Sequence, residues 1–194
     1  AGEHPPKPVD PRAILWVVDT SGSMFSYNVG ADAIGLGVLG SRMSLIPGVF
    51  ITFSETPTVV KIPPGGDVFT WFLAVANTTW GGSTNMEATY KLCLDLIVQS
   101  GMTGQEFSIG VLTDGQFNSM LRLPRVSRGH CSPRNFQKTI LKAMGKDFKR
   151  AGVTLPRLIF WNLNWESPGF PADSDTPGVQ LVAGRSQTLM LSVF

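Results

Sequence analysis

Five short, predominantly apolar runs constrain this chain more than any other feature: AILWVV (13–18), VFITF (49–53), SIGVLT (108–113), RLIFWNL (157–163) and VQLVA (179–183). Runs that do not alternate with polar residues cannot keep one face in water, so strands of this kind belong in a parallel sheet covered on both sides. Between them, apolar residues recur at three- and four-residue spacing over 29–43, 68–76, 86–100 and 134–151, which predicts helices. In the last of these Phe136, Ile140, Leu141, Met144 and Phe148 form one stripe, while Lys138, Lys142, Lys146 and Lys149 occupy the other faces. TVVKI (58–62) follows the turn residues ETP and predicts a short antiparallel edge strand beside the second run. Strands alternating with helices imply an α/β fold of three layers, a mostly parallel central sheet with helices on both faces.

The 194 residues suffice for one domain with a sizeable core, and the 21 glycines and 14 prolines follow no period that would indicate a repeat or a fibre. We place the domain at 13–194 and read the proline-rich opening AGEHPPKPVDPR (1–12) as a linker. The closing SQTLMLSVF reads as the start of a covering helix cut short, so the chain is expected to be a piece of something longer. A net charge of +2 does not point to nucleic acid or an anionic membrane. No run is long and apolar enough to span a bilayer, and the opening residues do not resemble a signal peptide. With only two cysteines, Cys93 and Cys131, a disulfide framework is not expected; the expected setting is intracellular, in the cytoplasm.

The chemistry gathers where strands end. In an open α/β sheet, ligands bind beyond the carboxyl ends of the strands. VVDTSGSM (17–24) ends the first run on Asp19 and continues into Ser21 and Ser23, three oxygen donors on one turn. VLTDGQ ends the third run on Asp114, followed by a glycine that lets the backbone turn away. Carboxylate and hydroxyl oxygens suit a hard divalent cation such as Mg2+, which takes few protein carboxylates and keeps some waters. A third segment, WGGSTNMEATY (80–90), places Ser83, Thr84 and Asn85 after two glycines at a predicted helix start. Helix capping accounts for such residues, and a hydroxyl directed at the metal is the functional alternative.

In order and spacing, DTSGS, GGST and LTDG resemble the metal-ion-dependent adhesion site of von Willebrand factor A domains, over essentially 13–194. The resemblance implies that Ser21 and Ser23 coordinate the ion through their hydroxyls and that Thr84 adds a third. Ser83, which stands between Thr84 and the glycine pair, is the alternative. Asp19 and Asp114 would supply negative charge directly or through water. The implied cofactor is Mg2+, with Mn2+ or Ca2+ as alternatives. IFWNLN and GVQLVAGRSQTLML are similar to the end of the A-type domain in a group of large eukaryotic and viral proteins. That group in turn is similar to Ro ribonucleoprotein autoantigens, where a helical-repeat RNA-binding module precedes the A domain. AGRS (183–186) departs from that group's pattern, which tends to place a serine and an aromatic beside the glycine.

Two carboxylates against one divalent ion leave the site near neutral, and hydroxyls are weak donors, so the ion retains affinity for an outside oxygen. The expected function is therefore a non-enzymatic interaction module that captures an Asp or Glu of a protein partner. The alternative is a structural domain of a Ro-like ribonucleoprotein whose metal site engages no ligand, with RNA bound through a missing N-terminal module. Arg122, Arg125 and Arg128 follow Asp114 in the loop 118–134 and suit an acidic partner or RNA phosphate; as a solvated insertion they need no function. Trp80 is placed to rim the site or to anchor its loop, and Asn162 and Asn164 to support it or to form a turn.

Enzymatic readings fare worse. DTSG has an extra serine relative to the D-T-G turn of the all-β aspartic proteases, and Ser21 occupies the position where a haloacid-dehalogenase-like phosphatase needs its second carboxylate. No nucleotide P-loop is present, and Gly30, Gly35, Gly37 and Gly40 do not fit a dinucleotide fingerprint; they are expected to permit close helix-to-sheet packing. His130 and Cys131 lack further ligands at zinc spacing.

Overall fold

The computed structural model describes residues 10–26, 28–82, 84–116, 137–164, 166, 169–185 and 189. Its strands are β1 (Ile14–Asp19), β2 (Val49–Phe53), β3 (Val59–Lys61), β4 (Ser108–Thr113), β5 (Arg157–Asn162) and β6 (Val179–Ala183). They form one sheet in the order β3-β2-β1-β4-β5-β6, with β2–β3 the antiparallel pair and all other neighbours parallel. The five apolar runs are thus the parallel strands, and TVVKI supplies the antiparallel edge.

The helices are α1 (Ser23–Ser26), α2 (Gly30–Met43), α3 (Val68–Ala76), α4 (Met86–Gln99) and α5 (Lys142–Arg150), the last continuing a π-helical turn at Gln137–Leu141. Side chains alternate across the sheet and sort into two cores. On one face Leu15, Val17, Ile109, Val111, Leu158 and Phe160 meet Tyr90, Cys93 and Ile97 of α4 and Met144 and Phe148 of α5. On the other, Ile14, Trp16, Val18, Leu112, Ile159 and Trp161 meet Ala33, Ile34 and Val38 of α2 and Val75 of α3. Every residue of β1 and β4 is buried, as expected of central strands covered on both faces. Trp161 buries its ring and still donates its indole N–H to the Gly184 carbonyl at 2.7 Å, so its polar edge incurs no desolvation penalty.

Close packing of α2 depends on two of its glycines. A Cβ on Gly37 would overlap Val18, and one on Gly40 would overlap the Trp16 indole. Gly35 faces open space and plays no such part, while a Cβ on Gly30 would meet Trp80 at an ordinary 3.5 Å. Of the predicted stripe, Ile140 in the π-helical turn and Met144 and Phe148 in α5 are buried and Leu141 is half-buried, while Lys142, Lys146 and Lys149 are exposed. Lys138's side chain, Phe136, the loop bearing His130 and Cys131, and the closing segment apart from Leu189 lie outside the description. So do residues 1–9 of the predicted linker. Among the described residues, no helix is long and apolar enough to cross a membrane.

Candidate metal centre

β1 delivers Asp19 to the carboxyl edge of the sheet, between Phe53 on β2 and the end of β4. The carboxylate is fully buried and held from two sides. Oδ1 accepts the Ser21 backbone N–H at 2.9 Å, an Asx-type turn, and Oδ2 accepts the Thr113 hydroxyl at 2.7 Å. The turn brings the Ser21 and Ser23 hydroxyl oxygens to 3.0 Å from each other. Two hydroxyls that close can share one proton-mediated contact or direct their lone pairs at one cation.

Asp114 repeats the arrangement one strand over. It is fully buried, and its Oδ1 accepts the Gln116 backbone N–H at 3.0 Å. Its Oδ2 is buried and has no hydrogen-bond partner among the described residues. A carboxylate oxygen in that state is costly unless a cation or an ordered water meets it. Burial pushes the Asp19 carboxyl up to about 6; hydrogen bonds from Ser21 and Thr113 offset part of that effect, and the neighbouring Asp114 adds to the rise.

The third segment docks on the first. Gly81 donates its N–H to the Thr20 carbonyl at 2.7 Å, and Asn85 donates its own to the Ser54 carbonyl at 3.0 Å, which fixes the loop between them. Thr84, in that loop, is buried. Gly81 and Gly82 have φ of +121° and +78°, conformations that suit glycine. Asn85 caps α4, its side chain accepting the Ala88 N–H at 3.1 Å, so it has the structural task weighed for it. Trp80 anchors its loop: its indole N–H donates to the Val75 carbonyl at 3.4 Å, and its ring lies among the apolar side chains beneath α2. Ser83, Arg122, Arg125 and Arg128 lie outside the described residues.

Thr113 is a site residue that the sequence pattern does not mark. Besides donating to Asp19, its hydroxyl accepts the Gly115 N–H at 3.2 Å and so ties β1's carboxylate to the turn that carries Asp114. The only signal was its place before Asp114 in LTDG. Asn162, opposite Thr113 on β5, presses its amide over Gly115, where a Cβ would overlap it and the Gly169 carbonyl. Asn162 also accepts the Asn164 N–H at 2.8 Å, so the pair forms a turn and supports the site at once. Among the described residues no three His, Cys, Asp or Glu side chains converge, so any metal held here would need hydroxyl oxygens beside the two aspartates.

A six-stranded, mostly parallel sheet between two helical layers, with an antiparallel edge strand, is the von Willebrand factor A-type fold. Solved structures of that fold resemble this one. The Ro protein (RSR) of Deinococcus radiodurans superimposes with a TM-score of 0.58 at 18% identity, over 95% of this chain and 35% of that one. A von Willebrand factor type A protein from Catenulispora acidiphila gives 0.55 at 15% identity, over 92% and 40%. The chain belongs to the family described as Domain of unknown function (DUF7788), whose family model matches residues 13–194. It is also 29% identical over 179 residues to uncharacterized protein L728 of Acanthamoeba polyphaga mimivirus; that stretch is 90% of this chain and 29% of L728. The chain therefore spans about a third of the length of L728 and of the Ro protein.

Proposed function

We propose that this domain is a non-enzymatic interaction module that holds a divalent cation, Mg2+ in the first instance and Mn2+ or Ca2+ as alternatives, and uses it to capture a carboxylate from a protein partner. The observation that carries the reading is the buried, unpartnered Oδ2 of Asp114 on the strand beside the equally buried Asp19. Two buried carboxylates at one sheet edge are a poor structural choice and a good cation seat. Ser21, Ser23 and Thr84 would join them as hydroxyl ligands, a hard-oxygen donor set suited to these ions. The bound cation supplies an open coordination position for an outside oxygen.

This chain's own contribution is positioning. Thr113 and the Ser21 N–H hold Asp19 in one rotamer, and the Gln116 N–H does the same for Asp114. The Gly81–Thr20 bond keeps the Thr84 loop in register with the serines. The Ser21 hydroxyl pairs with that of Ser23 at 3.0 Å, so one cation can take both oxygens. The buried free thiol of Cys93 agrees with an intracellular setting.

Mn2+ titration followed by amide NMR tests the reading. Substoichiometric Mn2+ should broaden the signals of residues 20–24, 84–86 and 114–116 before any others, and excess Mg2+ should restore them; uniform or absent broadening would sink the metal assignment. The second reading, a structural domain within a larger Ro-like ribonucleoprotein, draws on the small share of L728 and of the Ro protein that this chain spans. Assembly of the whole protein that survives Ser21→Ala/Ser23→Ala would favour it.

A further inference from the structure

The loops that carry the candidate metal ligands also carry an aromatic pair that no ligand role uses. Phe25 lies on α1, two residues after Ser23, and is 59% exposed, whereas its neighbour Met24 is buried. Its ring is 4.9 Å from that of Trp80, centroid to centroid, with the planes tilted by 55°. Trp80 opens the Gly81–Gly82 turn that leads to Thr84. The two rings thus bridge the same two loops as the hydroxyl ligands, one ring standing in solvent and the other fixed beneath it. Among the described residues, nothing lies within 4 Å of a Cβ placed on Gly81, so the turn that follows Trp80 has open space beside it. Next to it opens a cavity of about 460 Å³, lined among others by Thr52, Ser54, Thr79, Trp80 and Gly82.

We propose that Phe25, backed by Trp80, is an apolar recognition subsite adjoining the metal centre. Its occupant is a protein segment in which the captured Asp or Glu stands beside a large aliphatic or aromatic side chain. The proposal rests on the carboxylate-capture reading and names the partner's local chemistry. A free small anion would gain nothing from an exposed aromatic ring, whereas interface cores are enriched in aromatic anchors set among small residues. Among the described residues of the site loops, within 19–26, 79–86 and 114–116, no lysine or arginine stands beside the ring to follow a phosphate backbone; Arg122, Arg125 and Arg128 lie outside them, and the oligouridylate arm of the test addresses nucleic acid directly. Besides the two buried carboxylates and the cation they would hold, Glu55 places a negative charge beside Gly82 at the cavity, which suits an occupant that directs its one carboxylate to the cation and offers an apolar neighbour to the ring.

The test is NMR titration of the domain with acetyl-Asp-Leu-amide and acetyl-Leu-Asp-amide against acetyl-Asp-Gly-amide and acetyl-Gly-Asp-amide, in Mg2+ and in EDTA. Oligouridylate serves as the nucleic-acid probe. At least one leucine peptide should bind about tenfold tighter than its glycine counterpart, equivalent to about 1.4 kcal/mol, in Mg2+ only. Phe25→Ser should abolish the preference while leaving Mg2+ affinity unchanged, and Phe25→Leu should keep most of it. Mg2+-dependent binding of leucine and glycine peptides with equal affinity overturns the subsite and spares carboxylate capture. Carboxylate binding that ignores Mg2+ overturns both. Oligouridylate binding that is lost in Phe25→Ser, without a peptide preference, assigns the ring to nucleic acid and overturns the proposal. Self-association removed by Phe25→Ser assigns it to a second copy of the chain and overturns it equally.

Discussion

Replacing Asp19 with asparagine separates the requirements of folding from those of the metal. With its carboxyl raised from 3.8 to about 6, Asp19 binds a proton more tightly in the folded than in the unfolded chain. Stability then falls as pH rises, beginning near 3.8 and levelling off above about 6, because only the unfolded form ionises freely in that window. At about 1.4 kcal/mol per pH unit, the ionised carboxylate costs the metal-free fold about 3 kcal/mol at pH 7. Asparagine removes that cost and keeps the acceptor for Ser21. It also places an amide against the Thr113 hydroxyl, which already accepts from Gly115 and must turn its own proton away, a loss of about 1–2 kcal/mol. In EDTA at pH 7, Asp19→Asn should therefore be more stable than the native chain by about 1–2 kcal/mol, or about 2–8 °C in Tm for a domain of this size. At pH 4 the gain should vanish or reverse. Mg2+ at a hundred times its Kd should stabilise the native chain by about 2.7 kcal/mol and leave the variant almost unmoved, inverting the order. Urea denaturation with and without Mg2+ at both pH values reads all of this. An asparagine variant less stable than the native chain in EDTA at pH 7, or equal Mg2+ stabilisation of both, would refute the reasoning.

Thr113→Val removes the donor to Asp19 and the acceptor for Gly115 without changing volume; Mg2+ affinity by calorimetry should fall about tenfold or more, and Thr113→Ser should restore most of it. Gly115→Ala forces a Cβ into Asn162 and the Gly169 carbonyl at a backbone φ of +79°, and should lower stability by more than about 2 kcal/mol in denaturant melts. Gly35→Ala, in the exposed interior of α2 with open space around it, should instead raise stability by up to about 1 kcal/mol in the same melts. Asn85→Ala should cost about 1 kcal/mol through loss of the α4 cap while leaving Mg2+ affinity in calorimetry unchanged.

The sheet was legible because burial on both faces leaves a local mark: each parallel strand coincides with an apolar run to within a residue or so. Asp19 and Asp114 were legible because a carboxylate that terminates such a run stands out. Thr113 was not, since a threonine at a strand end is ordinary and its bond to Asp19 spans 94 residues, a juxtaposition made by the β1–β4 register. The short helix α1 has too few residues to show a period, so nothing marked which of Met24 and Phe25 faces the core. The π-helical turn at Gln137–Leu141 was hidden for a related reason. The four-residue spacing of Ile140, Met144 and Phe148 runs from the turn into α5 without a break, and the spacing of buried side chains does not report how the backbone bonds.

The placement of the acidic pair explains why a binding site and a central strand can be made from one stretch of chain. Val17 and Val18 are fully buried and paired on both sides, so the backbone that presents Asp19 cannot yield to the carboxylate's preference for water. The strain that a flexible loop would relieve by turning the side chain outward is retained here as a raised pKa and, on the adjacent strand, as an unpartnered oxygen on Asp114. On the proposed reading, rigidity would convert desolvation into cation affinity: whatever neutralises the pair would recover a cost the fold cannot otherwise avoid. The hydroxyls could then be weak ligands, because the carboxylates behind them would supply most of the attraction, and weak ligands would leave the ion receptive to an oxygen from outside. The cation would balance the charge of the pair, and a partner's carboxylate would complete the ion's coordination shell and not its charge.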